Sequence, residues 1–144
     1  MRAMMEYAQH FQRFYQKSLQ PQGEALGLSQ LEMGVLLFLH NNPELNAARD
    51  VVSLRGFAKS NVSAAVERLE REGWLRVEPD PESRRVKRLY LQPGREEALS
   101  ALAACQERCF AAATEGFAPE ELETLKKQFA RMDQNIKRAL EQMR

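Results

Sequence analysis

Residues 56–91 read GFAKSNVSAAVERLEREGWLRVEPDPESRRVKRLYL, and this stretch decides the fold. In its first half, Val62, Val66 and Leu69 recur at steps of four and three residues, which predicts an amphipathic helix with one buried stripe. Gly73 ends this helix, because glycine adopts the left-handed cap conformation without steric cost. The second half predicts two short strands, 74–77 and 86–91, around a turn rich in proline and aspartate that ends in two arginines.

A polar helix followed by a basic hairpin is typical of a winged helix-turn-helix, which places the helix in the major groove of DNA and the hairpin on the backbone or minor groove. The charge distribution agrees with this interpretation. Residues 55–95 hold ten Lys/Arg and six Asp/Glu, whereas residues 1–54 and 96–144 carry net charges of −1 and −2. A basic middle suits a chain that presents one segment to phosphates. An ordinary solvated charged surface gives the same pattern.

Helical patterns flank this central part. Residues 3–20 carry an aromatic stripe at three- and four-residue steps, and Pro21, Gly23 and Gly27 then break the pattern. From Pro119 onwards, apolar residues alternate in a heptad-like seam about three heptads long. These features predict a helical interface with a second copy, although packing within one chain explains them equally. The residues predicted to lie at this interface are Phe11, Phe14, Leu122, Leu125, Phe129, Ile136 and Leu140.

The remaining local signals complete a mainly α-helical architecture with a small β-hairpin wing. Ser29 and Glu32 form a capping box that opens an apolar core helix ending near His40. Gly56 makes the turn into the amphipathic helix, and Pro93 with Gly94 starts a long helix. We therefore predict one domain over residues 1–144, with a winged-helix lobe at 29–92 and a dimerisation region formed by 1–20 and 93–144.

The sequence resembles the MarR family of bacterial transcription regulators. The resemblance is carried by KSNVS at 59–63, VERLEREGWL at 66–75, DPESRR at 80–85 and LQPG at 91–94. It departs from the family pattern at Ala58, where a capping serine or aspartate is usual, and at Ser83, where aspartate is common. The resemblance implies a homodimeric DNA-binding regulator without catalytic residues, whose partners are double-stranded DNA and a second copy of the chain.

DNA contacts are predicted at two places. The first residues of the amphipathic helix are expected at the base edges, and a later arginine of the same helix at a phosphate. At the wing, one guanidinium is expected to enter the minor groove and the other to pair with Asp80 or a phosphate. The predicted DNA-binding residues are Lys59, Ser60, Asn61, Ser63, Arg68, Arg84 and Arg85.

The family resemblance further implies a repressor that binds a pseudo-palindromic operator and is relieved by a small-molecule effector. The effector would bind between the dimerisation helices and the DNA-binding lobe. Phe11, Tyr15 and Phe38 are candidates for lining that pocket, and the same residues also fit a dimer core. The alternatives are a winged-helix adaptor that binds proteins rather than specific DNA, and a redox-sensing regulator.

The redox alternative concerns Cys105 and Cys109, which are four residues apart on a predicted helix. Their Cβ atoms should lie about 5–6 Å apart, farther than the roughly 3.8 Å of a relaxed disulfide. Small buried residues or a thiol sensor both remain open. His10 and His40 are far apart in sequence and no cluster at ligand spacing accompanies them, so no metal site is expected. The sequence contains no P-loop, no GxGxxG and no nucleophile motif, so neither a cofactor nor an enzyme activity is expected. No apolar run approaches membrane-spanning length and no signal pattern occurs, so a cytoplasmic protein is expected.

Overall fold

The protein is described here by a computed structural model that covers residues 1–55 and 57–143, without the side chains of residues 54 and 55. The expected turn at Gly56 lies outside these residues. The elements in order are α1 (Arg2–Leu26), α2 (Gln30–Asn41), α3 (Ala48–Arg55), α4 (Lys59–Arg71), β1 (Leu75–Pro79), β2 (Lys87–Leu91), α5 (Glu96–Ala113) and α6 (Pro119–Gln142). They form two compact units, Met1–Cys109 and Phe110–Arg144. The predicted fold class, mainly helical with one hairpin, is confirmed.

Helix α1 is longer than the sequence pattern predicts, because it continues through Pro21 and Gly23 and ends at Gly27, whose φ is 70°. Pro21 is exposed, so its missing N–H costs one helical hydrogen bond on the solvent side. Gly23 is buried against the start of α2, and its carbonyl accepts a hydrogen bond from the N–H of Leu28 at 2.8 Å. The expectation that Pro21 and Gly23 break the helix is therefore wrong, because Gly23 is required for close packing.

Helix α2 forms the centre of the core. Ser29 and Glu32 make the predicted capping box, in which each side chain accepts from the other's backbone N–H at 3.1 and 2.8 Å. Every residue from Glu32 to Leu39 is buried. A helix that is apolar on all sides must be surrounded by other elements, and α1, α4 and β2 pack against it.

Helix α4 packs on α2 and α3 through one face. The predicted stripe of Val62, Val66 and Leu69 is buried, together with Ala65. Gly73, with φ of 80°, follows the helix as predicted. Ala58 precedes the first helical residue and provides no side-chain cap. The first turn is therefore closed by backbone alone, with the N–H of Val62 donating to the carbonyl of Ala58 at 3.0 Å.

Strands β1 and β2 form an antiparallel hairpin in which Leu75 faces Leu91 and Pro79 faces Lys87. Leu75 and Leu89 enter the core, so the hairpin is anchored by one apolar face. The N–H of Leu89 also donates to the carbonyl of Asn46 at 2.8 Å, which ties β2 to the segment before α3. The wing is therefore fixed at its base to the helix-turn-helix.

Helices α5 and α6 differ in burial. Helix α5 buries Leu99, Leu102, Cys105 and Cys109. It begins at Glu96 rather than at the predicted Pro93–Gly94, because Gly94 adopts φ of 94° and its N–H donates to the Glu96 carboxylate at 2.9 Å. Helix α6 starts with Pro119 in its first turn, as predicted, and none of its described residues is buried.

We predict that Gly23→Ala destabilises the protein. A Cβ at this position would lie 2.8 Å from the carbonyl oxygen of Leu28 and 2.8 Å from Cε of Met33. Overpacking typically costs about 1–3 kcal/mol, and alanine regains about 1 kcal/mol of helix propensity. Because one of the two close atoms is a backbone oxygen that cannot move aside easily, the cost of overpacking should lie in the upper part of its range, and chemical denaturation should show a net loss of roughly 1–2 kcal/mol in the free energy of unfolding. Gln22→Ala on the same helix is the control and should be neutral or slightly stabilising. Equal stability of Gly23→Ala and wild type would contradict the close packing.

Candidate nucleic-acid interface

The first turn of α4 presents polar groups to solvent. Lys59, Ser60, Asn61 and Ser63 are all exposed, whereas Val62 between them is buried. The turn contains no acidic residue and no side-chain cap, so its backbone N–H groups and the positive end of the helix dipole face outward. A surface of hydroxyl, amide and ammonium groups at a helix N-terminus is suited to contact base edges and phosphates.

Arg68, in contrast, is half-buried, and its guanidinium is bound by other groups of the protein. Its Nη1 forms an ion pair with Oε1 of Glu32, and its Nη2 donates to the carbonyl oxygen of Gly27 at 2.8 Å. Glu32 is 4% exposed. The guanidinium thus compensates a buried carboxylate instead of standing free on the surface. Arg68 therefore differs from the other predicted DNA contacts of α4, whose side chains are exposed.

The wing tip is organised by Asp80. Its Oδ1 accepts from the N–H of Glu82 at 2.8 Å, and its Oδ2 accepts from Nε of Arg88 at 2.8 Å. The backbone N–H of Glu82 and the Arg88 guanidinium both lower the pKa of this carboxyl below its ordinary value. Arg88 also donates to Oδ1 of Asn46 at 3.2 Å. The wing is therefore locked to the segment before α3 by a charged hydrogen-bond network.

Arg84 and Arg85 lie at the exposed tip of this wing. The pairing of one of them with Asp80, expected as one of two options, is not formed, because Oδ2 of Asp80 accepts from Arg88 and Oδ1 accepts from the N–H of Glu82. The other option, a phosphate contact, stays a prediction. Neither arginine takes part in an ion pair within residues 1–55 and 57–143. Both guanidinium groups are therefore available to an external anion.

Other basic residues of the central segment are used inside the protein. The Arg95 guanidinium stacks over the Trp74 ring at 4.3 Å and donates to the carbonyl of Glu72 at 2.7 Å. Arg76 lies over the Tyr90 ring at 4.7 Å and pairs with Glu78 at 3.0 Å. These two arginines are therefore engaged within the protein. Among the described residues of the segment, the exposed cations apart from Arg76 are Lys59 at the start of α4, Arg71 at its end, and Arg84, Arg85 and Lys87 on the wing.

The residues proposed to line an effector pocket occupy different environments. Phe38 is buried in the core. Tyr15 is half-buried, and its hydroxyl accepts from Nε2 of Gln106 at 3.0 Å. Phe11 stacks on Tyr15 with ring centroids 6.2 Å apart. None of the three residues lines the groove beside α1 or the smaller groove formed by residues 117–128. Their assignment to an effector pocket stays a prediction.

A groove of about 850 Å³ does occur elsewhere, along the C-terminal half of α1. Arg13 and Lys17 of α1 lie on its wall, and Glu32 and Arg68 also line it. It is lined by both basic and acidic side chains and, among its described lining residues, by no aromatic one, unlike the aromatic pocket expected from the sequence.

The predicted interface residues leave large apolar surfaces exposed. Phe129, Ile136 and Leu140 of α6 are 57–60% exposed. Phe14 of α1 is also exposed, whereas Leu122 and Leu125 are half-buried. Monomers rarely leave a contiguous apolar stripe of this kind in water. The dimerisation region itself stays a prediction.

Cys105 and Cys109 are free and buried. The Arg108 Nη2 lies 3.0 Å from Sγ of Cys105. Burial of both thiols favours the packing interpretation over the thiol sensor. In the described part of the chain, no three His, Cys, Asp or Glu side chains are grouped to hold a metal ion, and no helix has the length and hydropathy to cross a membrane.

Comparison with known proteins gives the same architecture. The sequence model of the MarR family matches residues 26–86. A MarR-family transcriptional regulator from Silicibacter pomeroyi has a TM-score of 0.77 at 23% identity, over 90% of this chain and 87% of its own. The resemblance to the MarR family is confirmed. The matched segment runs from the end of α1 to the wing, so it contains the whole helix-turn-helix.

Two further MarR-fold structures are similar to the chain. A MarR-family regulator from Listeria monocytogenes in complex with a 26mer DNA has a TM-score of 0.76 at 17% identity, over 94% of this chain and 87% of its own. BpsR of Bordetella bronchiseptica has a TM-score of 0.68 at 20% identity, over 92% of this chain and 99% of its own. No curated protein matches the chain significantly.

Two interactions in this MarR-like lobe could not be predicted from sequence. The Glu32–Arg68 pair joins residues 36 positions apart, so no local pattern reveals it. The Asp80–Arg88 pair spans eight residues across the hairpin. Arg88 is turned towards Asn46, whereas Lys87, its neighbour on β2, is exposed.

We predict that Arg88→Met loosens the wing, whereas Lys87→Met does not. The first change removes the hydrogen bonds to Asp80 and Asn46, and the second removes an exposed charge of the same sign. Amide hydrogen exchange across residues 79–88 should become several-fold faster in Arg88→Met alone. Unchanged protection in Arg88→Met would mean that the backbone turn holds the wing without this network.

Proposed function

We propose that this protein is a homodimeric, sequence-specific DNA-binding transcription regulator, and that it acts as a repressor on a pseudo-palindromic operator. The observation that carries the proposal is the pair of unpaired arginines, Arg84 and Arg85, at the tip of a wing that is itself held rigid. The exposed polar turn of α4 supports it, because the same fold presents this turn to the major groove.

The comparisons support the proposal at a coarser level. The matched family is one of transcription regulators, and the Listeria monocytogenes relative is in complex with DNA. These proteins are not enzymes, and we assign no catalytic residue or cofactor to this chain. A DNA-binding regulator of this kind would act in the cytoplasm.

Lys59, Ser60, Asn61 and Ser63 are assigned to the base edges and adjacent phosphates. Asn61 is suited to adenine, because its amide can donate and accept at N7 and N6 together. Lys59 is suited to guanine or a phosphate. At the wing, a guanidinium inserted into a narrow A·T-rich minor groove would meet strong negative electrostatic potential.

We further propose that a second copy of the chain covers the exposed apolar residues of α1 and α6. Two copies in C2 symmetry would present two recognition helices, so each half-site would lie about one helical turn from the other. The exposed stripe of Phe129, Ile136 and Leu140 is the support for this assembly.

Effector control is also proposed. DNA binding by the related BpsR of Bordetella bronchiseptica is regulated by 6-hydroxynicotinic acid. In this chain, the groove beside α1 is a candidate for a regulatory small molecule, as an alternative to the aromatic residues Phe11, Tyr15 and Phe38. It adjoins both a proposed dimerisation helix and, through Arg68, the recognition helix.

Replacing both wing arginines tests DNA binding. Arg84→Ala combined with Arg85→Ala should lower affinity for a selected duplex about 10- to 100-fold and reduce the salt dependence of binding by about one to two ion equivalents. Fluorescence anisotropy across a salt series measures both quantities. Lys126→Ala combined with Lys127→Ala removes the same charge from α6 and should leave binding unchanged. If the wing variant binds as wild type does, the wing is not a DNA contact.

Replacing one apolar residue of α6 tests the assembly. Ile136→Glu should weaken the homodimer by roughly tenfold or more, because a carboxylate would be desolvated in the apolar interface. Sedimentation velocity over a concentration series measures the dissociation. Gln134→Glu, on the opposite side of the helix, adds the same charge and should have no effect. A wild-type protein that is monomeric throughout the series would refute the dimer.

A further inference from the structure

We infer that Arg68 and Glu32 form a positioning pair that fixes the recognition helix relative to the end of α1, and that this pair, rather than a phosphate contact by Arg68, is what DNA recognition requires from it. The inference rests on the proposed function and deepens it. It reassigns one residue that the sequence placed among the DNA contacts.

Arg68 joins three elements through a single guanidinium. It is part of α4, its Nη2 donates to the carbonyl of Gly27, and its Nη1 pairs with Glu32 of α2. Gly27 is the left-handed cap at which α1 ends. The end of α1, the start of α2 and the second half of α4 are therefore held at one point.

The geometry explains why Arg68 stays bound to this site. Glu32 is almost completely buried, and its Oε1 accepts from both the N–H of Ser29 and the Arg68 guanidinium. Burial raises the pKa of Glu32, but hydrogen bonds from Arg68 and Ser29 outweigh it, and the pKa lies below its ordinary value. The carboxyl is thus ionised at neutral pH. If Arg68 moved away to bind a phosphate, the buried carboxylate of Glu32 would lose its cation, which costs free energy.

The position of the pair should affect sequence-specific binding, because the pair holds the direction of α4. Base-edge contacts by Asn61 and its neighbours depend on the direction of α4, whereas contacts to phosphates tolerate small displacements. A recognition helix released from Gly27 and Glu32 should therefore lose specific binding more than non-specific binding. The effect should appear without any change in the number of phosphates contacted.

The test compares wild type and four variants on the duplex that wild type selects from a random-sequence pool, and on a scrambled duplex of equal length. The variants are Glu32→Gln, Arg68→Met and the double variant, and Arg71→Met serves as the control. Arg71 is an exposed arginine of the same helix, so its loss removes the same charge from the surface. Thermal unfolding of each variant is measured alongside binding. Arg68→Lys replaces Arg68→Met if the latter does not fold, because lysine keeps the charge but lacks the fork that reaches Gly27 and Glu32 together.

Under the positioning account, Glu32→Gln and Arg68→Met each lower the ratio of specific to scrambled-duplex affinity about tenfold. Their effects are not additive in the double variant, because each breaks the same pair. The salt dependence stays that of wild type, and Arg71→Met retains the wild-type specificity ratio.

Three other results overturn the inference. If Arg68 contacts a phosphate, Arg68→Met lowers affinity for both duplexes and reduces the salt dependence by about one ion equivalent. Glu32→Gln then leaves binding equal to or tighter than wild type, because it frees the guanidinium. If both variants match wild type, the pair is structural only. A wild-type protein with no preference for any duplex overturns the proposed function itself and the inference with it, so the two failures are distinguished by the wild-type measurement alone.

Discussion

Burial of α2 on all sides is the constraint on which the rest of the structure depends. Eight consecutive residues, from Glu32 to Leu39, are removed from water, and α1, α4 and β2 must surround them. Seven of the eight are apolar or glycine, and their burial drives the packing. The exception is Glu32, whose carboxylate closes the first turn of α2 and therefore needs a cation. Arg68 supplies it, and in doing so links the core helix α2 to α4, the helix that carries the predicted DNA contacts.

The basic residues of the central segment fall into two groups, those bound within the protein and those exposed to solvent. Arg68, Arg88 and Arg95 are hydrogen-bonded to carboxylate or backbone oxygens of the protein. Lys59, Arg84 and Arg85 are exposed at the start of α4 and on the wing. A net charge of +4 over residues 55–95 is thus divided between groups that stiffen the scaffold and groups that meet an external anion. Rigid elements that present free cations are what backbone and groove contacts require.

Local features of the fold were predictable from sequence because they depend on neighbouring residues. The capping box of Ser29 and Glu32, the buried stripe of α4 and the stop at Gly73 all follow from spacings of a few positions. Pro21 and Gly23 were misread as helix breakers, because their local preference is overridden by packing of Gly23 on Leu28 and Met33. The start of α5 was placed too early for a similar reason, since Gly94 takes a conformation that only the structure reveals.

The candidate site was predictable in its location but not in the role of each residue. Periodicity and turn chemistry predict the exposure of the wing arginines and of the polar residues in the first turn of α4, which are Lys59, Ser60, Asn61 and Ser63. Which cation meets Glu32, and which meets Asp80, depends on tertiary distances that no spacing of residues contains. Arg68 is accordingly the residue whose predicted role differs most from the contacts that the structure shows.

The proposed function requires that the exposed side chains of α4 and the wing bind a specific DNA sequence. The most direct measurement is binding of wild-type protein to labelled fragments from around its own gene, across a salt series. The account predicts affinity that falls steeply with salt and a preference for one palindromic site that persists at every salt concentration. Absence of binding even at low salt, or steep salt dependence with no preferred fragment, would contradict it.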